Sequence, residues 1–161
     1  MTGGQSTLQV DLLQQLELAA EAESAGSADE RAWALTRFAA ALRKAGRLDQ
    51  ALTVLDAAGA LEASEWTRRA LSTCAVAVHC DRDEPELAVR VGEEQMERSL
   101  DEKLLQAMTR AYCEAFEATG RDVYGEQWRR ISAVLEEGRL PASAGRRTYG
   151  AAASAASSSS P

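Results

Sequence analysis

The stretch RKAGRLDQALTVLDAAGAL, residues 43–61, decides the fold class. It starts at the end of one amphipathic segment and passes through Gly46 and a short polar turn. It then enters a second segment whose apolar residues recur at helical spacing. Glycine tolerates the left-handed conformation that closes a helix. The stretch therefore predicts a helical hairpin, two helices joined by a tight turn.

The turn at Gly46 recurs along the chain at a fixed interval. Asp83 and Gly120 follow it at successive steps of 37 residues. Packing positions recur at the same step, in the sets Phe38, Ala75 and Tyr112; Ala34, Leu71 and Met108; and Leu42, His79 and Phe116. A period of roughly 20 to 50 residues is typical of solenoid arrays, in which similar units stack on one another.

Local signals divide the rest of the chain into about seven helices. Ser27 and Glu30 have the spacing of a capping box, and Pro85 fits the first turn of a helix. The predicted helices span 7–24, 27–45, 49–58, 64–81, 85–99, 101–118 and 122–136. Residues 1–6 and the Ala/Ser-rich stretch 138–161 are predicted to be disordered, which leaves one helical domain at 7–137.

The composition favours the same fold class. Of the 161 residues 45% are apolar but only 5% are aromatic, and alanine is abundant. Strands prefer β-branched and aromatic residues, whereas alanine is the strongest helix former. An all-α domain with closely packed helices is therefore expected.

The charge pattern limits the classes of partner. The net charge is −7, and every acidic residue lies at or before Glu137, whereas Arg139, Arg146 and Arg147 follow it. Phosphate binding needs clustered lysine and arginine, so nucleic acid is not expected as the main ligand. No apolar run approaches the ~20 residues that cross a bilayer, and no signal peptide is visible. Three cysteines without a framework spacing fit a reducing compartment, and a cytoplasmic protein is expected.

The segment AWALTRFAAALRKAGRLDQALTVLDAAGAL, residues 32–61, resembles the tetratricopeptide repeat family. The residues that carry the resemblance are Leu35, Phe38, Ala39 and Leu42 in the first helix, Gly46 and Leu48 at the turn, and Ala51, Leu55 and Ala58 in the second helix. It is closest in residues 31–63 and weaker in 64–136, and the 37-residue step exceeds the usual ~34. The resemblance implies a short α-solenoid that binds other proteins.

In that family the first helices of successive repeats line a concave groove for a peptide or helix. The resemblance therefore implies partner-binding residues at Trp33, Thr36, Arg43, Lys44, Thr73, Arg110 and Glu114. The competing interpretation is that Trp33 packs against the N-terminal helix and the arginines are simply solvated. The chain has no asparagine, so a clamp for a C-terminal carboxylate is not expected.

Residues with reactive or metal-binding chemistry are few and poorly spaced. A metal or thiol site is suggested by Cys74, His79, Cys80 and Asp83. On a helix, however, Cys74 and Cys80 point in diverging directions. Structural zinc usually takes tightly spaced cysteine pairs. No phosphate-binding glycine motif is present. The sequence therefore predicts a protein that is not an enzyme and needs no cofactor or metal.

Three hypotheses for the function remain. The first is an adaptor that binds a partner protein in a helical groove. The second is a structural or oligomeric role, in which the apolar stripe of the C-terminal helical hairpin is buried between copies; its residues are Trp128, Ile131, Val134 and Leu135. The third is a small metal-binding or thiol-based protein centred on Cys74, His79 and Cys80.

Overall fold

A computed structural model of the chain describes residues 3–138, with side chains from residue 14 onward. This part of the chain forms seven helices and contains no strand, which confirms the all-α prediction. The helices are α1 (Gly3–Ser24), α2 (Ala28–Lys44), α3 (Leu48–Gly59), α4 (Glu65–Asp81), α5 (Pro85–Arg98), α6 (Glu102–Thr119) and α7 (Asp122–Glu136). None of them is long and apolar enough to span a membrane.

The helix ends match the predicted ones closely except at the start of α1. This helix begins at Gly3, whereas disorder was predicted for residues 1–6. Once a first turn exists, each added residue contributes a backbone hydrogen bond, so a helix can extend into Gly and Ser without a capping signal. Residues 1–2 and 139–161 lie outside the described residues, and so does nearly all of the predicted C-terminal disorder.

The chain divides into two compact units, Met1–Cys74 (unit one) and Ala75–Pro161 (unit two). Unit one holds α1, α2, α3 and the first part of α4, and unit two holds the rest. In unit one, α2 packs against both α1 and α3. In unit two, α6 packs against both α5 and α7. The stacking of a complete solenoid stays a prediction.

The capping box at the start of α2 is present with a shifted second bond. The backbone N–H of Glu30 donates to Ser27 Oγ at 3.2 Å, as predicted. The Glu30 carboxylate accepts from the N–H of Gly26 at 3.0 Å, one residue before the cap. The two bonds fix the point at which α2 begins.

The recurring turn is visible in the backbone at all three positions. Gly46, Asp83 and Gly120 have φ values of 74°, 63° and 66°. At the first turn the N–H of Arg47 donates to the carbonyl of Leu42 at 2.9 Å, which closes α2. The N–H of Glu84 donates to the His79 carbonyl at 2.9 Å in the same way. The prediction of a turn repeated every 37 residues is confirmed.

The two units fill their interiors differently. The helices of unit one approach through alanines, and Ala32, Ala39, Ala51 and Ala58 are completely buried. Unit two uses larger residues, and Leu104, Leu105, Met108, Tyr112 and Ile131 are completely buried. Trp128, Val134 and Leu135 pack against that second core and are partly buried. The stripe offered for self-association therefore contributes to the interior of unit two.

Candidate functional site

The first candidate surface begins at a bond between the starts of two helices. Ser64 precedes α4, and its Oγ accepts from the N–H of Thr67 at 3.3 Å, which caps the helix. The N–H of Ser64 donates to Asp29 Oδ1, at the start of α2, at 2.8 Å. The Ser64 N–H and the Thr67 hydroxyl hold the pKa of Asp29 below its usual range. The first turns of α2 and α4 are thereby tied together within unit one.

Two tryptophans meet close to this bond, Trp33 four residues after Asp29 and Trp66 two residues after Ser64. The ring centroids of Trp33 in α2 and Trp66 in α4 are 4.4 Å apart, with 46° between the ring planes. Trp33 is half-buried, whereas Trp66 is 54% exposed. We call this pair the aromatic patch. Trp33 was predicted from the sequence, and the structure gives it an aromatic neighbour that the sequence analysis did not single out.

The other predicted residues of unit one have mixed positions. Thr36 is only 4% exposed, and its hydroxyl donates to the Ala32 carbonyl at 2.8 Å. Its assignment to an open surface is therefore corrected, because its polar group is used inside the helix. Thr73 is half-buried and bonds the Arg69 carbonyl in the same manner, also at 2.8 Å. Arg43 is half-buried, and Lys44 is exposed at the end of α2.

The two predicted residues of unit two form an ion network. Arg110 Nη1 lies 2.7 Å from Asp81 Oδ1, and its Nε lies 2.6 Å from Glu114 Oε1. Burial opposes the charge of Arg110, yet its hydrogen bonds to Glu114 and Asp81 raise its pKa. The one positive charge of this network is paired with two negative ones. Charges that are already paired in this way attract the charges of a partner less strongly than isolated charges would.

The second candidate surface is a groove in unit one that we call the apolar cleft. It has a volume of about 400 Å³ and is open to solvent. Its lining residues are Gln15, Leu16, Ala19, Phe38, Leu42, Arg47, Gln50, Thr53 and Val54. Leu42 is buried in its floor, and Leu16 is 59% exposed at its rim. Phe38, predicted as core, remains half-exposed because the two flanking helices leave it partly uncovered.

Unit two has a cavity of about 360 Å³ with a more polar lining from α5 and α7. The hydroxyl of Tyr124 donates to Glu86 Oε1 at 2.9 Å, and that of Tyr112 donates to Glu93 Oε1 at 2.7 Å. Burial raises the pKa of Glu93. Arg121 lies 5.1 Å from the centroid of the Tyr124 ring. These contacts tie α5 to α6 and α7.

The residues suggested for metal or thiol chemistry have structural contacts. His79 Nδ1 lies 2.9 Å from Glu84 Oε2. Cys80 is 5% exposed, and burial, reinforced by the Glu114 carboxylate, raises the pKa of its thiol to about 12. Its thiol is therefore protonated at neutral pH and a poor nucleophile. Among the described side chains, which begin at residue 14, no three His, Cys, Asp or Glu residues cluster in a way that would hold a metal ion.

Unit one combines two surface features. An exposed indole and an open apolar groove both belong to it. Trp66 could have been noticed as one of only three tryptophans, placed directly after the Ser64 cap. No protein-family model, curated protein or solved structure matches the chain.

Proposed function

We propose that the chain is a noncatalytic adaptor that binds a partner protein through the aromatic patch. The observation that carries this proposal is Trp66, which is more than half exposed and whose ring contacts that of Trp33 at a tilted angle. Tryptophan is among the residue types that contribute most to protein interfaces, because a large rigid ring loses little entropy when it is covered.

The surroundings of the patch support a preformed binding surface. The bond between Asp29 and Ser64 holds the two helix starts together, and the ring contact restrains both side chains. A surface that is already ordered binds with a smaller entropy cost. Neither indole N–H donates to a residue in the described part of the chain, so both can donate to a partner. The expected partner therefore offers an apolar side chain and adjacent backbone carbonyls.

The chemistry-bearing side chains support a role in binding rather than catalysis. Cys80 holds its proton, and His79 contacts Glu84. The carboxylates of Glu86 and Glu93 accept hydrogen bonds from tyrosine hydroxyls. The contacts of His79, Glu86 and Glu93 join helices of unit two, whereas a thiol nucleophile needs a base that removes its proton.

Affinity capture from an extract of the native host, followed by titration of the purified partner, tests the proposal. Trp66→Ser is the test variant, and Leu87→Ser is its control because Leu87 is an exposed apolar residue of unit two. We expect Trp66→Ser to weaken the interaction roughly tenfold or more, as for an interface anchor. The control should leave it unchanged. If Trp66→Ser retains every captured protein at its original affinity, the aromatic patch is not the binding surface.

A further inference from the structure

The apolar cleft is a second surface of unit one, formed by different faces of its helices. Phe38 and Leu42 of α2 form its floor, α1 contributes Leu16 and Ala19, and α3 contributes Val54. Phe38 lies five positions after Trp33, which places the two side chains on different sides of α2. The cleft can therefore act independently of the aromatic patch.

The walls of the cleft indicate the shape of an occupant. A groove between two helices over the surface of a third accepts another helix, whose apolar face supplies side chains at positions i, i+4 and i+7. The open side of the cleft and the exposed Leu16 leave apolar surface in contact with water. Covering such surface is favourable in proportion to its area.

The edge of the cleft indicates the charge of an occupant. Arg47 lines it from the turn between α2 and α3, and its side chain is exposed. Among the described residues Arg47 makes no ion pair or hydrogen bond through its guanidinium. The remaining polar lining residues, Gln15, Gln50 and Thr53, carry no charge. A carboxylate on an occupant would therefore meet one positive charge and no negative one in the lining.

We propose that the apolar cleft binds an amphipathic helix of a partner protein, whose aliphatic face ends in a carboxylate that pairs with Arg47. The aliphatic side chains contact Leu16, Phe38 and Val54, and the carboxylate sets the direction of the helix. The aliphatic contacts supply most of the affinity, since one exposed ion pair contributes little. The charge mainly selects acidic helices over basic ones.

Two stapled helical peptides test the proposal with the full chain. Both carry leucines at i, i+4 and i+7, and one end of the same face carries two glutamates in the first peptide and two lysines in the second. Isothermal titration measures affinity, and methyl NMR shifts of Leu16 and Val54 locate the binding. We expect the acidic peptide to bind the wild-type chain in the cleft and the basic peptide to bind more weakly.

Variants separate the apolar contribution from the charge. Leu16→Glu should weaken the acidic peptide roughly tenfold or more, because it places a charge on the apolar face. Arg47→Glu should weaken it roughly threefold and strengthen the basic peptide. Leu87→Glu and Trp66→Ser should change neither affinity. Because Trp66→Ser tests only the aromatic patch, failure of one proposal leaves the other standing.

Four results would overturn the proposal. The first is that neither peptide binds the wild-type chain. The second is that the wild-type chain binds both peptides with equal affinity. The third is a concentration-dependent dimer in which the Leu16 methyls are protected, since the occupant would then be a second copy. The fourth is displacement of the peptide by decanoate at a comparable concentration, since the cleft would then be a site for a fatty acid.

Discussion

At the scale of single residues, Glu93 is the carboxylate whose environment opposes its charge most clearly. It is half-buried, and the hydroxyl of fully buried Tyr112 donates to it at 2.7 Å. Burial raises its pKa, the Tyr112 hydrogen bond opposes that shift, and the nearby Glu97 carboxylate adds to it. No described cation forms an ion pair with Glu93. Its ionised form is therefore disfavoured in the folded state relative to the unfolded one.

This environment predicts the effect of Glu93→Gln. A carboxyl group whose pKa is raised on folding contributes stability that is present below its unfolded pKa of about 4.3. That contribution is lost as the pH rises through the folded pKa. Glutamine keeps an acceptor for Tyr112 without a charge. The variant should therefore be more stable than the wild type at pH 7, with the advantage shrinking towards pH 4.

Urea unfolding at both pH values checks this prediction. Asp29 and Glu84 have lowered pKa values. Their contributions to the free energy of unfolding therefore have the opposite pH dependence to that of Glu93 and are lost as the pH falls. The difference between variant and wild type removes these contributions, because both chains contain them. Glu94→Gln is the control, since Glu94 is exposed and pairs with Arg98 at 3.1 Å. A Glu93→Gln variant that is less stable at pH 7 would contradict the argument.

At the scale of helices, the approach of α5 to α6 depends on Gly92. A β-carbon at this position would overlap Sδ of Met108 and lie 2.9 Å from its Cε. Met108 is completely buried, so it has little room to move aside. The absence of a side chain at Gly92 thus sets how closely the two helices pack.

Gly92→Ala is expected to destabilise the chain by about 1–3 kcal/mol, the usual range for an overpacked core. Gly59→Ala is the matched control, because nothing lies within 4 Å of a β-carbon there and alanine favours the helix. Thermal unfolding of both variants measures the difference. Combining Gly92→Ala with Met108→Ala should cost less than the sum of the two single changes. Strict additivity would show that the contact is not the cause.

At the scale of the whole molecule, the 37-residue repeat predicts related effects at three turns. Gly46 and Gly120 have positive φ values, and a β-carbon at either would meet nothing within 4 Å. Changing either to alanine should therefore cost about 1 kcal/mol through backbone strain alone. Asp83 has the same backbone conformation without being glycine, and its carboxylate has no described partner.

Asp83→Gly should therefore stabilise the chain, by up to about 1 kcal/mol. Chemical denaturation of the three single variants gives the comparison. We expect the change in the free energy of unfolding to have one sign for Asp83→Gly and the opposite sign for the two glycine variants. A loss of stability in Asp83→Gly would mean that the side chain makes a contribution that its position does not explain.

The helices were largely predictable because their ends carry local chemistry. Ser27, Gly46 and Pro85 act within one or two turns of the chain, so a single sequence reveals them. The start of α1 has no such signal, and the helix begins earlier than the predicted position. The arrangement of the two units depends on long-range packing, which periodicity alone does not specify.

The candidate surfaces were less predictable for a related reason. Spacing placed Phe38 and Leu42 on an apolar face, but it could not show that the neighbouring helices leave part of that face uncovered. Thr36 was assigned by resemblance, and its burial depends on packing. Trp66 does not occupy the same repeat position as Trp33, so aligning the repeats at a step of 37 residues does not pair the two tryptophans. The pairing of Arg110 with Glu114 is an i, i+4 contact that the sequence did contain.

The contact between the Trp33 and Trp66 rings has an optical consequence. Two indoles with centroids 4.4 Å apart absorb light as one coupled chromophore, so unit one should give an exciton couplet in circular dichroism. Trp128 belongs to unit two and has no described aromatic neighbour with which to couple. The couplet would therefore report selectively on the two helix starts of unit one, in the unmodified protein and without any added label.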